Sequence, residues 1–141
     1  MASLSDDRVR EFLSTGTRTG KVAWVASNGA PHVAPIWFVL DGEDLVFNTG
    51  SSTGKGRSFA REGRASLVVD HEVPPYSFVK VDGTISLSDD LDEVRRFATL
   101  IGGRYMGADR AEEFGERNGV PGELLVRLHP TKVTAAFDLA D

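Results

Sequence analysis

The sequence predicts a mainly β fold, a small barrel of six or seven antiparallel strands with helices packed on its outside. Three observations predict it. Short runs rich in β-branched and aromatic residues recur at close spacing, at 21–26, 32–40, 45–49, 65–70, 76–88, 123–128 and 132–137, the pattern of a sandwich or barrel. Turn chemistry separates them, with Asn28-Gly29 as a strong hairpin signal and Asp41-Gly42-Glu43-Asp44 as a second turn. Helical patterns are short and peripheral, and two of them come late in the chain.

Each element has a local reason. Ser5 or Asp6 can cap a helix over 7–13, where Val9, Phe12 and Leu13 fall at helical spacing. The run 65–70 (Ala-Ser-Leu-Val-Val-Asp) reads as a buried strand. In 76–88, Phe78, Val79, Val81, Ile85 and Leu87 supply apolar positions around a bulge or turn at Asp82-Gly83. Asp89 or Asp90 caps a helix over 91–101, with Val94, Phe97, Ala98 and Ile101 on one face and Gly102-Gly103 as its stop. A weaker helix follows over 108–118, then a loop through Pro121-Gly122. Pro130 divides the last two strands.

At 141 residues the chain forms one domain, 1–141, with a single core. It has no Cys, which excludes disulfides, thiol catalysis and thiolate metal centres. Its net charge is -5, and a broad basic surface for nucleic acid is not expected. No stretch approaches the ~18 apolar residues of a membrane span. The acidic start, Asp6-Asp7 after Ser5, lacks a secretory pattern, so the expected compartment is the cytoplasm and no membrane partner is expected.

The most informative stretch is 46–59, Val-Phe-Asn-Thr-Gly-Ser-Ser-Thr-Gly-Lys-Gly-Arg-Ser-Phe. A strand end runs into a loop of hydroxyls and glycines, then a helix whose first turn carries Lys55 and Arg57. Converging N–H groups, a helix dipole and two cations make an anion site. Between Ser51 and Arg64 there are four basic residues (Lys55, Arg57, Arg61, Arg64) against one acid, Glu62. The competing reading is a solvated polar loop and surface helix. A P-loop is excluded, because only three residues separate Gly50 from Gly54 and Gly56 stands where a hydroxyl should hold Mg²⁺. His71-Glu72-Val73-Pro74-Pro75 cannot be a zinc-protease helix, since the proline pair forbids a helix. No metal site, no Ser-His-Asp order with supporting motifs and no carboxylate pair in a recognisable setting is legible.

The ordered set His32-Val33-Ala34-Pro35-Ile36-Trp37, Phe47-Asn48-Thr49, Ser51 to Arg57, Arg64-Ala65-Ser66-Leu67-Val68-Val69 and Val81-Asp82-Gly83-Thr84-Ile85 resembles the split β-barrel flavin-binding proteins, the pyridoxamine 5′-phosphate oxidase-like family. It looks most like the short branch that uses the deazaflavin coenzyme F420. The resemblance implies a split β-barrel and a homodimer with the cofactor in a groove between subunits. Lys55 and Gly56 match the loop that holds the cofactor phosphate, assisted by Arg57, Ser51, Ser52 and Thr53. Asn48 and Thr49 match positions lining the cofactor's side chain and ring edge. His32, Ala34, Pro35, Ile36 and Trp37 lie on the strand expected beside the tricyclic ring. Tyr105 falls where the short branch often lines the pocket. His32 and Tyr105 are the candidate proton donors; no catalytic side chain is assigned.

With no catalytic apparatus of its own, the chain acts, on this resemblance, through a cofactor that carries the chemistry. The implied activity is an F420-dependent oxidoreductase, a reductase passing hydride from reduced deazaflavin to an unsaturated or conjugated small-molecule substrate. Flavin mononucleotide (FMN) is the alternative cofactor, and a non-catalytic cofactor- or haem-binding protein the alternative role. Charge favours F420, whose phosphodiester carries one negative charge and is followed by an acidic glutamate tail, where the FMN monoester carries up to two. Lys55 and Arg57, with Arg61 and Arg64 further along the helix, suit the former better. Oxidase members commonly place arginine and lysine on the strand before the loop, whereas 35–41 here contains no basic residue. The chain also lacks a clear C-terminal Arg and His pair of the kind expected to hold pyridoxal phosphate.

Overall fold

A computed structural model describes residues 2–141. The strands are β1 (Gly20–Val25), β2 (Pro31–Ile36), β3 (Val39–Asp41), β4 (Asp44–Gly50), β5 (Arg64–His71), β6 (Ser77–Ser88) and β7 (Glu123–Ala136). They form one sheet in the order β2-β1-β5-β6-β7-β4-β3, antiparallel at every pairing. The helices are α1 (Asp7–Ser14), α2 (Gly54–Glu62), α3 (Leu91–Met106) and α4 (Ala111–Asn118), with a 3-10 turn over Ala108–Arg110. One buried cluster takes Val22 from β1, Ile36 from β2, Phe47 from β4, Leu67 from β5, Val81 from β6 and Leu128 from β7. Strands from both ends of the sheet share that cluster, so the sheet curls on itself into a split barrel. α1 and α2 close it with Leu13 and Phe59.

β4 explains where the site lies. Leu45 and Phe47 point into the barrel, while Val46, fully buried on the opposite face, packs with Val94, Phe97 and Leu125 beneath α3. Burial on both faces is why 45–47 reads as a continuous apolar run. The same double cover fixes the strand end, Asn48 to Gly50, between α3 and α2.

Three expectations are corrected, each for a tertiary reason. The strand expected over 32–40 is two strands. At the break, the Phe38 N–H donates to the Tyr105 hydroxyl (3.3 Å) and its carbonyl accepts from Arg104 Nη1 (2.8 Å). Side chains of α3 thus take over backbone groups that a ladder would have paired, and Trp37 turns outward, 36% exposed. The α3 helix does not stop at Gly102-Gly103 but runs to Met106. A Cβ at Gly102 would lie 2.3 Å from the Phe114 Cβ, so this glycine serves close packing of α3 on α4, and Gly107, at φ 107°, ends the helix. The two closing strands are one: Asp82 pairs with Lys132 and Gly83 with Pro130, leaving Thr131 as a bulge that absorbs the proline. A Cβ at Gly83 would lie 2.1 Å from the His129 carbonyl oxygen, which requires glycine there.

Among the described residues no helix is long and apolar enough to cross a membrane, and no group of three or more His, Asp or Glu side chains could hold a metal ion.

Candidate functional site

The site is built where β4 ends. Asn48, Thr49 and Gly50 pair with Leu125, Leu124 and Glu123 of β7, and the chain then turns sharply into α2. The Ser51 N–H donates to the Gly122 carbonyl (2.8 Å), which ties the turn to the start of β7. Thr53 is the N-cap: its Oγ1 accepts from the Gly56 N–H (3.0 Å) and donates to the Gly50 carbonyl (2.8 Å). A helix leaves its first N–H groups without intrahelical partners, and a capping hydroxyl satisfies one of them. Gly56 is obligatory, since a Cβ there would sit 2.3 Å from the Gly50 oxygen. Arg57 Nη1 donates to the Ser52 carbonyl (2.6 Å), bracing the loop from outside.

This construction leaves a cleft of about 410 Å³. Pro35, Ile36 and Trp37 form one wall, Asn48, Thr49 and Gly50 another, and Thr53 and Lys55 the α2 end, while Ile101, Asn118 and Glu123 complete it. Two features of its polar lining stand out. Asn48 Nδ2 is buried and has no hydrogen-bond partner, a condition that costs about 1–3 kcal/mol when nothing satisfies it. The Lys55 ammonium makes no hydrogen bond or ion pair with the described residues and sits 5.3 Å from the Trp24 ring centroid.

The structure therefore brings Pro35, Ile36, Trp37, Asn48, Thr49, Thr53 and Lys55 to one cleft. It does not bring the others. His32 stacks on Trp24 (centroids 5.6 Å apart, 17° between planes) and, with Arg57, lines a separate groove of about 290 Å³ on the Trp24 side of α2. The cause is cross-strand pairing, because His32 is opposite Trp24 in the β1–β2 hairpin. Ser51 faces a different hollow, beside Asp89 and Pro121. Ala34 and Ser52 line neither the cleft nor that groove, and Gly56 is buried within the turn.

Tyr105 is a support, not a lining residue. Its ring stacks on Trp37 (5.1 Å, 5°). Its hydroxyl donates to the Arg18 carbonyl (2.9 Å) and accepts from the Phe38 N–H. Burial pushes this phenol above its ordinary range, and both of its hydrogen-bonding roles are occupied by backbone, so it has no proton for a ligand. Ile101, Asn118 and Glu123 are not legible as site residues in the sequence, where Ile101 reads only as part of a helix's apolar face. They reach the cleft only because α3, α4 and β7 fold back over β4, and no local motif marks them.

A larger hollow of about 560 Å³ lies over the β1–β5–β6 surface, near Ala23, Val25, Ala65 and Gly83. Its lining is mainly apolar, and among the described residues it has no unpartnered buried polar atom. Beside it, Val33 on the edge strand β2 is 67% exposed.

With the geometry in place, comparison with known proteins identifies the family. The family model described as pyridoxamine 5′-phosphate oxidase matches residues 5–137. Among curated proteins none matches the chain. Among solved structures, a conserved hypothetical protein from Mycobacterium tuberculosis superposes with a TM-score of 0.80 at 16% identity, over 96% of this chain and 84% of that one. An F420 reductase gives a TM-score of 0.70 at 24% identity, over 88% and 94% of the two chains. The haem storage protein HutZ of Vibrio cholerae gives 0.74 at 17% identity, over 96% and 98%. Likeness at these identities establishes the split-barrel fold, and the match over residues 5–137 establishes that the chain belongs to the pyridoxamine 5′-phosphate oxidase family.

Proposed function

We propose that the chain is a coenzyme F420-dependent reductase that reduces an unsaturated or conjugated small molecule in the cleft between β4, α3 and the N-terminus of α2. The observation that carries this reading is the conjunction, in one cleft, of an unpaired lysine and a buried, unpartnered amide. Lys55, beside the N-terminus of α2, fits a phosphate by charge and helix dipole together. Asn48 Nδ2 supplies a donor that the protein itself leaves unsatisfied. Trp37, held flat against Tyr105, presents an aromatic wall of the kind on which a fused ring stacks.

The residues fit a deazaflavin cofactor. Lys55 and the Thr53-capped turn would hold its phosphodiester, Asn48 and Thr49 would orient its side chain and ring edge, and Pro35, Ile36 and Trp37 would exclude water from the ring. When bound, the cofactor supplies a hydride in a two-electron reduction. The chain contributes position and a dry wall. No side chain is assigned as proton donor: Tyr105 is committed to the backbone, and His32 stacks on Trp24 and lines the separate groove.

Charge favours F420 over FMN. Among the described residues Lys55 is the one cation lining the cleft, and it shares that lining with Glu123. This balance suits a phosphate of one negative charge better than one of two. We further propose a homodimer in the cytoplasm, with the exposed Val25 and Val33 and the neighbouring apolar hollow buried between subunits.

Titration of the apo-protein with F420 and with FMN, followed by ligand fluorescence, tests the assignment. Saturable binding of F420 at least tenfold tighter than FMN, about 1.4 kcal/mol, is the expected result. A preference for FMN, or no binding of either, overturns it.

A further inference from the structure

Among the described residues only two ionisable ones line the cleft: Lys55 from α2 and Glu123 from the first position of β7. Glu123 pairs in register with Gly50, the residue from which the chain leaves β4 for the loop. Its carboxylate makes no hydrogen bond or ion pair with the described residues. Burial raises its carboxyl above the ordinary range. Glu123 also borders the neighbouring hollow with Ser51, Asp89 and Pro121, where Asp89 adds another acid and no cation. An unpartnered carboxylate beside an anion-holding turn runs against simple complementarity. A site built only for affinity would place another donor or a cation there.

We infer that Glu123 is a specificity-determining residue, a carboxylate that admits ligands whose phosphate is a singly charged diester and rejects those ending in a doubly charged monoester. This inference rests on the reading of the cleft given above. At the phosphate itself, a diester balances Lys55 and leaves one net negative charge, from Glu123. F420 also carries an acidic tail beyond its diester, so FMN against riboflavin is the comparison that isolates phosphate charge. A monoester dianion adds a second negative charge in a partly desolvated site, where like-charge repulsion is screened least. Discrimination by repulsion is a standard route to specificity where attraction to the correct ligand cannot be raised further. The ordinary alternative is a half-solvated surface acid without consequence, and such a residue would not distinguish ligands by phosphate charge.

The test uses the full chain, three probes (coenzyme F420, FMN and riboflavin, which lacks the phosphate) and the variants Glu123→Gln and Glu123→Asp. Removing the charge with Glu123→Gln is expected to tighten FMN about tenfold and F420 about threefold, and to leave riboflavin within about twofold. Glu123→Asp keeps the charge and should keep the wild-type ratio. Lowering the pH from about 7.5 to about 5.5 crosses the second phosphate ionisation near 6. It also moves Glu123 toward its neutral form, because burial has raised its carboxyl. The wild-type penalty against FMN therefore shrinks on acidification, and in Glu123→Gln the pH response is smaller. Lys55 and Asp89 are the charged groups bordering the same two hollows, so Asp89→Asn serves as the control for a general field effect.

Tight F420 binding with an unchanged FMN-to-riboflavin ratio in Glu123→Gln overturns the inference and leaves the functional reading intact. An equal change for riboflavin and FMN overturns it too, since phosphate charge would then be irrelevant. Failure of wild-type protein to bind F420 overturns the functional reading itself, whatever Glu123 does.

Discussion

β4 and β7 carry two polar regions at opposite ends, and their contrast locates function. At one end, Ser86 Oγ lies 2.7 Å from His129 Nε2, and His129 Nδ1 lies 2.8 Å from Asp44 Oδ1. Arg127 joins the same network, bonding to Asp41 (2.9 Å) and reaching Asp44 and Glu93 (3.5 Å each), with its guanidinium 5.2 Å from the Phe97 ring centroid. At the other end, Asn48, Lys55 and Glu123 share a cleft with few protein partners. The first region has the residue types of a hydrolytic triad, a constellation not legible in the sequence. Yet Ser86 lies within a paired strand, opposite Arg127, and not at the sharp turn or helix N-terminus where free backbone amides converge into an oxyanion hole. An imidazole protonated at Nδ1 satisfies both of its neighbours. That network is complete without a ligand; the cleft is not.

The lesson is that unsatisfied groups mark this site better than familiar residue combinations do. A satisfied network contributes to stability, whereas an orphaned donor costs stability and persists where a ligand repays it.

Mutations on the two sides should separate cleanly. Arg127→Ala leaves Asp41, Asp44 and Glu93 without their common cation. It should cost about 1.5–3 kcal/mol of stability, read by denaturant titration, with cofactor affinity unchanged. A large loss of affinity would mean that the two ends are coupled. Asn48→Leu is expected to act in the opposite direction. Replacing an unsatisfied amide with an apolar side chain of similar size raises stability by about 1 kcal/mol while weakening F420 binding about tenfold. If Asn48→Leu destabilised the free protein, the orphaned donor would have to be satisfied in solution. The smallest effect belongs to Ser86→Ala, about 0.5–1 kcal/mol in stability, and neither it nor wild type should turn over p-nitrophenyl acetate. Ester hydrolysis that vanishes in Ser86→Ala would make the trio a working site and break the comparison.

Much of this was legible before the structure. The β-branched runs, the Asn28-Gly29 turn and the strand–loop–helix stretch at 46–59 carry their structure locally, and Asn48, Thr49, Thr53 and Lys55 do converge. What was not legible depends on contacts between distant segments. Gly102-Gly103 looks like a helix stop unless Phe114 is known to pack there. The break after Ile36 depends on Arg104 and Tyr105 capturing the backbone of Phe38. His32 and Trp37 lie on one predicted strand, but pairing with Trp24 holds the first away from the cleft and the break turns the second into it. Glu123 carries no signal of its own, because a carboxylate at a strand start is ordinarily solvated.

On the proposed reading, Lys55 at the N-terminus of α2 holds the phosphate of the cofactor. The direct measurement is F420 titration and a thermal melt of wild type and Lys55→Ala on the same preparations. Loss of a charge-assisted hydrogen bond, about 1.5–3 kcal/mol, predicts a dissociation constant raised about tenfold to over a hundredfold. The melt should be unchanged, because the ammonium has no ion-pair partner among the described residues, and added salt should weaken wild type more than the variant. Equal affinity of the two proteins for F420, with equal melts, would contradict the account and leave Lys55 a solvated side chain beside an unrelated cleft.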